Sequence, residues 1–265
     1  MKRFLRIFSL YFQHVFQHRA RNFLWFLIAF INPLVLPLFW QGVLSADQTL
    51  HGWNINSIRT YYLLLIIAQA GLMNHVELYV AYIDIKQGEL IRELLRPFPY
   101  LLIRSISESP WRILQMSYAL ITVTLLAVFL KIPIELSNVP VIITLSLLVA
   151  LNAFAISFMF KMILGLTAFW MTNIDSILET NDVLIFALSG LIIPINLFPT
   201  WMFYIAKATP FPYILYYPIT AFIGLYNTSE LLHIILIQFG WILGFTVIYK
   251  VMWKQGLRKF SGIGQ

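Results

Sequence analysis

Runs of about 20 mostly apolar residues, the length that carries a helix across the hydrocarbon core of a bilayer, recur along this chain between charged or turn-forming connectors. Inside lipid every backbone N–H and C=O must be satisfied by the protein itself, which leaves helices or closed barrels as the only spanning forms. The runs at 23–44, 60–83, 110–130, 141–171, 183–198 and 231–253 are far too long for barrel strands. They predict an all-α polytopic membrane protein with six spans in a single transmembrane domain covering 1–265. The fifth run is the shortest, its uninterrupted core extending only from Val183 to Ile193. Composition agrees with this class: 60% of the residues are hydrophobic and 11% charged, against roughly 45–50% and about 25% in globular domains. With no cysteine, disulfides and thiolate metal sites are excluded. The basic, aromatic first 22 residues meet the first run without a small-residue cleavage site, so no cleaved leader is expected.

The fifth run does not finish as a simple span. It passes into Pro194-Ile-Asn-Leu-Phe-Pro199 and then Pro210-Phe-Pro212, with Pro218 beyond. Proline removes a backbone donor and breaks regular helix. Such backbone survives at membrane depth only where protein buries it or where it lines a cavity. A re-entrant segment over 199–224, between spans five and six, follows, and broken segments of this kind belong to transporters more than to receptors or anchors.

The net charge of +7 is distributed by topology rather than gathered for nucleic acid. Lys2, Arg3, Arg6, Arg19 and Arg21 precede the first span; Lys86, Arg92, Arg96, Arg104 and Arg112 lie between or beside the second and third; Lys250, Lys254, Arg258 and Lys259 close the last. Only Arg59, Lys131 and Lys207 fall in the alternate loops. By the positive-inside rule both termini are expected in the cytoplasm, as an even number of spans requires. Residues 1–21 place Phe4, Phe8, Tyr11, Phe12, Val15 and Phe16 on one helical face, opposite Arg6, Ser9, Gln13 and Gln17. This pattern predicts an interfacial amphipathic helix that leads into the first span.

Between spans two and three, Gly88 punctuates the preceding helix, and Glu89 to Leu95 make a short helical turn that Pro97 and Pro99 stop. The charges of Glu89, Arg92, Glu93 and Arg96, over Leu90, Leu94 and Leu95, suit a groove on another protein as well as they suit a solvated connector. Within the spans, polar residues are costly and mark candidate functional positions. Gln69, Asn74, His75 and Glu77 lie in the second run, Asn152 and Lys161 in the fourth. Glu77 and Lys161 fall at similar depth, where they either satisfy one another as a buried pair or line the inner mouth of a pathway together with His75. Lys161 also has the reach to snorkel toward headgroups.

Catalytic readings fare worse. Ser189-Gly190 with His233 superficially offers a protease dyad, but Ala187 stands where a glycine is usual and His233 sits at the end of its span. Asp175, Glu179 and Asp182 are spaced as a solvated loop rather than as a divalent-cation cluster. No glycine-rich loop with Gly-Lys-Ser or Gly-Lys-Thr occurs, so the chain has no nucleotide motor of its own. The aromatic content, including Trp201, Trp241 and Trp253, reads as interface belts. An ATP-independent carrier or channel, or a membrane scaffold, remains as the alternative class.

The order of these elements resembles one family. The basic aromatic N-terminal helix, Asp84-Ile-Lys-Gln-Gly88 before Leu94-Leu95-Arg96-Pro97, Gly165-Leu-Thr-Ala-Phe-Trp170, Leu188-Ser-Gly190, Ile193-Pro194 and Leu197-Phe198-Pro199 are together similar to the permease subunits of type 2 ABC exporters, in a six-span bacterial branch. The resemblance implies a non-catalytic half-transporter of a bacterial inner membrane. Two permeases, identical or paralogous, stand side by side, each on a cytoplasmic ATPase that holds the ATP and magnesium, with no cofactor or metal on this chain. It further implies that Gly88, Glu89, Arg92, Glu93, Leu95 and Arg96 form the coupling helix. By the same resemblance Pro194, Asn196, Phe198, Pro199 and Pro212 belong to the outer gate, where Ile195-Asn196 departs from relatives that often carry an acid.

Overall fold

The computed structural model describes residues 52–129 and 131–260, together with residues 12, 13, 24, 35, 36, 38–40, 42, 49 and 50. The expected interfacial helix 1–21 and first span 23–44 lie almost wholly outside the described residues. Everything regular in the described part is helical, with one isolated bridge between Leu50 and Trp53.

The elements in chain order are α1 (Ile55–Leu72), α2 (Val76–Leu78) with its π-helical continuation Tyr79–Lys86, α3 (Leu90–Leu94), α4 (Tyr100–Phe129), α5 (Pro140–Leu166) ending in a 3₁₀ turn Thr167–Phe169, α6 (Asp175–Leu188), a 3₁₀ turn Ile195–Leu197, α7 (Thr200–Lys207), α8 (Phe211–Ile214), α9 (Tyr216–Ile223) and α10 (Thr228–Lys259). Among the described residues, four stretches are long and apolar enough to cross a membrane: Ile55–Lys86, Tyr100–Phe129, Pro140–Phe169 and Thr228–Lys259. They correspond to the second, third, fourth and sixth predicted spans, and all but Pro140–Phe169 are longer than their apolar runs. The fifth predicted span, 183–198, meets α6, which starts at Asp175 and stops at Leu188, too short to be counted with the four.

Capping explains where the long helices begin. Asn54 Oδ1 accepts from the Ser57 N–H at 2.7 Å while Ser57 Oγ accepts from the Asn54 N–H at 3.0 Å, so α1 starts ahead of its apolar run. Asn227 and Glu230 close the same reciprocal box at the head of α10, at 2.9 and 2.8 Å. Arg258 and Lys259 occupy its last turn, where cations suit the negative end of the helix dipole. Pro140 opens α5 in the first turn, where its missing N–H costs nothing. Pro110, which begins the third apolar run, lies inside α4 instead of starting it. The polar stretch before it stays helical, with Ser105, Ser107 and Ser109 returning their hydroxyls to carbonyls one turn back at 2.7–2.9 Å.

α10 packs along α5, α4 along α1, and α9 nests against α5 and α1. The shared core runs through Tyr61, Leu65, Val80, Ile156, Met162 and Tyr213. The outward faces stay apolar: Leu232, Leu236, Phe239, Leu243 and Val247 form an exposed stripe along α10, and Ile121, Leu125 and Val128 do so on α4. At helical spacing, such stripes are surfaces for lipid or neighbouring spans.

The last turn of α5 approaches α2 closely. A Cβ on Gly165 would stand 2.7 Å from Val80 Cβ and 3.1 Å from the Glu77 carbonyl, whereas Gly240 on α10 has open space around it. Gly165→Val is therefore expected to destabilise the bundle by about 1–3 kcal/mol through overpacking. Gly240→Ala should leave stability unchanged, as thermal unfolding of the two variants in detergent will show.

Candidate functional site

Two groups of buried charges lie toward one end of the bundle, the end that carries α3 and the C-terminal turn of α10. The first grows from α3. Gly88 adopts φ +79°, a left-handed turn that reverses the chain after the π-helical segment. Five residues of helix follow before Pro97 and Pro99. Positions three apart share a helix face, so Leu90 and Glu93 both turn inward, at 0% and 1% exposure, while Ile91, Leu94 and Leu95 point away.

Glu93 meets Arg104, itself 1% exposed, with the guanidinium 3.7 Å from one carboxylate oxygen. Arg104 also pairs with buried Asp84 at 2.5 Å, and the Tyr100 hydroxyl donates to the other Asp84 oxygen. The guanidinium lies over the Tyr79 ring at 4.4 Å and near Tyr100 at 5.4 Å. Tyr100 in turn stacks on Trp253 of α10 at 4.6 Å. Arg96 reaches the second Glu93 oxygen at 3.0 Å, and Arg92 bridges Glu89 and Glu93 at 3.1 and 3.6 Å. Desolvating charges is expensive unless each has a well-placed partner. Asp84 and Glu93 share the deeply buried Arg104, with Arg92 and Arg96 at the margin, so the charges are paired, although both Glu93 carboxylate oxygens and Arg104 Nε make no hydrogen bond. The cluster ties α3, the π-helical segment and α4 into one unit. Lys86 adds a further tie, donating to the carbonyls of Met171 and of Thr172, the latter at 2.8 Å.

The second group stands at the break in the span Ile55–Lys86. α1 stops at Leu72, and the freed Asn74 N–H is taken by Ser157 Oγ of α5 at 3.2 Å, with the Asn74 amide donating to the same oxygen. Glu77 of α2 then pairs with Lys161 of α5 at 2.9 Å. The two residues are 3% and 2% exposed, so the paired arrangement holds and Lys161 does not snorkel. His75 Nδ1 is 3.6 Å from Glu77, and its backbone N–H faces Glu108, which is bound by Arg112 at 2.8 Å. Asp182 of α6 approaches Lys161 to 3.5 Å. Ser157, Lys161 and Ser189 border a void no larger than one water molecule. Of the three pathway candidates His75, Glu77 and Lys161, only Lys161 borders this void.

At the opposite end, α6 is followed by a chain reversal held from α1. Tyr61 donates to the Gly190 carbonyl at 2.6 Å and Tyr62 to the Ile192 carbonyl at 2.5 Å. Gly190 has φ +86°, and a Cβ there would stand 2.7 Å from the Tyr61 hydroxyl. Pro194 and Pro199 precede the 3₁₀ turn and α7, with Asn196 and Phe198 between them; Pro212 is buried in the first turn of α8. Asn196 accepts from Trp53 Nε1 at 3.0 Å. Gln238 of α10 donates to the Val149 and Tyr213 carbonyls at 3.0 and 3.2 Å, fastening α8 between α5 and α10. The proline-rich segment is thus broken into short helices whose freed backbone groups find protein partners.

A family model described as ABC-2 family transporter protein matches residues 30–264. The chain belongs to the ABC-2 transporter family. No curated protein and no solved structure matches it. Membership makes this ABC-2 protein the membrane subunit of a transporter, which implies partnership with an ABC ATPase, and its long apolar helices make it multi-pass.

Sequence reasoning reached the Glu77–Lys161 pair and the charges of α3. It missed Asp84 and Arg104 as a buried pair. Arg104 sits within Tyr100-Leu-Leu-Ile-Arg-Ser-Ile, an apolar setting that signals a partnered charge as well as topology. Tyr61, Tyr62 and Gln238 carried no comparable signal, since their partners are backbone carbonyls remote in sequence. Trp253, read as a belt residue, lies between Tyr100 and Tyr249.

Arg104→Met strands Asp84 and Glu93 without their shared cation and is expected to cost about 3–5 kcal/mol, read as a lowered Tm in detergent. For the second group, Lys161→Met alone should destabilise more than the double change Glu77→Gln with Lys161→Met, because the double variant leaves no buried charge. A thermodynamic cycle over the four proteins checks this.

Proposed function

We propose that this chain is the permease subunit of an ATP-binding cassette exporter of the bacterial inner membrane. It forms the translocation pathway as a dimer with an identical or paralogous chain and is driven by separate cytoplasmic ATPases. The reading puts the α3 end of the bundle in the cytoplasm, in line with the basic residues Lys86, Arg92, Arg96, Arg258 and Lys259 there.

The observation that carries it is how α3 divides its faces: beside Leu90 it encloses an acid, and its other apolar side chains are left outside. This helix buries a carboxylate, Glu93, and leaves Ile91 and Leu94 each 45% and Leu95 83% exposed. A solvated connector would do the reverse, since burying leucine is favourable and burying an acid is costly. Exposed leucines beside Arg92 on a short, rigidly anchored helix suit a groove on a partner. The buried side, clasped through Glu93 to Arg104, supplies the stiffness needed to pass a push from that partner into α2 and α4. Energy from ATP-driven closure of the ATPases then reaches the spans through Glu93, and the coupling role extends over Gly88, Glu89, Arg92, Glu93, Leu95 and Arg96. ATP and magnesium belong to the partner in this scheme.

Within the same reading, His75, Glu77 and Lys161 sit at the inner part of the pathway. Pro194, Asn196, Phe198, Pro199 and Pro212 shape its outer closure, which Tyr61 and Tyr62 hold in place. Tight packing between α5, α8 and α10 suits a resting state closed to both sides.

Co-purification of the chain from its host membrane, with mass spectrometry of what remains bound, tests the assignment. A stoichiometric ATPase carrying a phosphate-binding loop is expected. Leu95→Asp, at a side chain that is 83% exposed, should cut the bound ATPase about tenfold or more, as losing an interface anchor of about 1.4 kcal/mol or more would, while Tm and membrane insertion stay as in the wild type. Wild-type ATPase retention in that variant would sink the role given to α3.

A further inference from the structure

The end of the bundle opposite α3 holds a cavity of about 710 Å³ that none of the roles above accounts for. It opens between α7, α9, the head of α10 and the turn at Gly52–Trp53. Its volume lies within the range of roughly 300–1,000 Å³ found for small-molecule sites. Its wall is aromatic to an unusual degree: Trp53, Phe203, Tyr213, Tyr216, Tyr217 and Tyr226. Trp53, Tyr213, Tyr216 and Tyr217 are buried, and their rings are fixed by one another. Tyr213 stacks on Tyr217 at 4.6 Å, Tyr217 meets Tyr216 edge-on at 5.3 Å and Tyr226 at 6.0 Å, and Trp53 is held by Asn196. The wall is therefore preformed, and a ligand would not have to order it.

Three ionisable groups complete the lining. Lys207, Glu230 and His233 are all exposed, which places them at the mouth. One Glu230 oxygen accepts from the Asn227 N–H in the helix cap, leaving the other for a ligand. Lys207 has a ring neighbour, Phe203 at 5.9 Å, and forms no ion pair with the described residues. Lys207 and Glu230 set one ammonium and one carboxylate at the mouth. An organic cation would meet the aromatic faces favourably but also Lys207; an anionic amphiphile would set its phosphate against Glu230. A zwitterion satisfies both, its phosphate on Lys207 by a charge-assisted hydrogen bond and its ammonium on Glu230 and the tyrosine faces.

The surroundings supply the apolar half. Ile234 and Ile237 extend the wall along α10. On the outer side of α7, Trp201 and Tyr204 are each 65% exposed, the amphipathic rings expected at headgroup level. The cavity mouth lies on the same short helix and so at the same depth as the headgroups of that leaflet.

We propose that this cavity is a binding site for a zwitterionic phospholipid, or an amphiphile with the same phosphate-plus-ammonium head, taken from the leaflet away from α3. Binding requires no ATPase; the inference rests on the proposed orientation only in making that leaflet the outer one. The site serves either cargo on its way out or a resident lipid, and the head chemistry is the same for both.

The test is calorimetric titration of the full chain in a maltoside detergent with dihexanoyl phosphatidylethanolamine and, separately, dihexanoyl phosphatidylglycerol. The ethanolamine lipid is expected to bind about tenfold tighter or better. Glu230→Gln keeps an N3 side chain able to close the cap and should erase that preference. Lys207→Gln, at an exposed position, should weaken both lipids about tenfold and provides the second variant if Glu230→Gln fails to fold. Equal binding of the two lipids by the wild type, or unchanged ethanolamine-lipid affinity in both folded variants, overturns the proposal. With the ATPase complex in hand, loss of the bound lipid on adding ATP identifies it as cargo, and retention identifies it as resident; either supports the site. Failure to recover any ATPase would count against the permease reading alone, since the titrations do not need one.

Discussion

A bilayer core contains no water to accept a stray peptide group, and this one constraint organises the described structure. At several of the described helix breaks a side chain from a neighbour takes up what the break releases, and Gln238 adds a donor to a carbonyl inside α5. Ser157 receives the Asn74 N–H, Tyr61 and Tyr62 donate to the carbonyls of Gly190 and Ile192, and Gln238 donates to those of Val149 and Tyr213. The breaks are consequently also the places where separate helices are fastened together. α5, which supplies Ser157 and the Val149 carbonyl, stands at the middle of this network and shares its longest contact with α10.

The same economy governs charge. Buried ions here come in groups spanning several elements: Arg104 with Asp84 and Glu93, Lys161 with Glu77 and, at the margin, Asp182. Replacing such groups by apolar side chains of equal size often costs nothing, so their stability alone does not account for them. What they add is connection at a defined point. The first joins the short helix α3 to two spans, and the second joins the lower half of a broken span to α5. Both lie toward the end of the bundle that carries α3.

Much of this was legible from residue order. Apolar run length located all four long helices, and Gly88 with Pro97 and Pro99 delimited α3. Proline density between Pro194 and Pro218 foretold the short helices there. The boundaries were less legible, because they depend on local hydrogen bonds rather than hydropathy. Asn54 with Ser57 starts α1 upstream of the apolar run, and α4 begins ten residues ahead of Pro110, through a polar segment outside the apolar run. Least legible were contacts between distant elements. Nothing in Tyr213, Tyr216, Tyr217 and Tyr226 as a string distinguishes interface aromatics from a cavity wall; only their convergence with Trp53 and Phe203 does. Arg104 was readable in principle, as a charge inside an apolar stretch, but its two acids come from segments on either side of a turn.

The winding of Tyr79–Lys86 ties one of these features to another. A π-helix is a wider coil than an α-helix and advances less along its axis per residue, and such turns are uncommon outside functional positions. The direction in which Asp84 projects is set by that winding; in this form its carboxylate meets Arg104 and Tyr100 while Glu77, just before the coil, meets Lys161. The two charge groups are thus phased against each other by the pitch of a single eight-residue coil. Tightening it would rotate one group relative to the other, so neither could be displaced without the other registering the change.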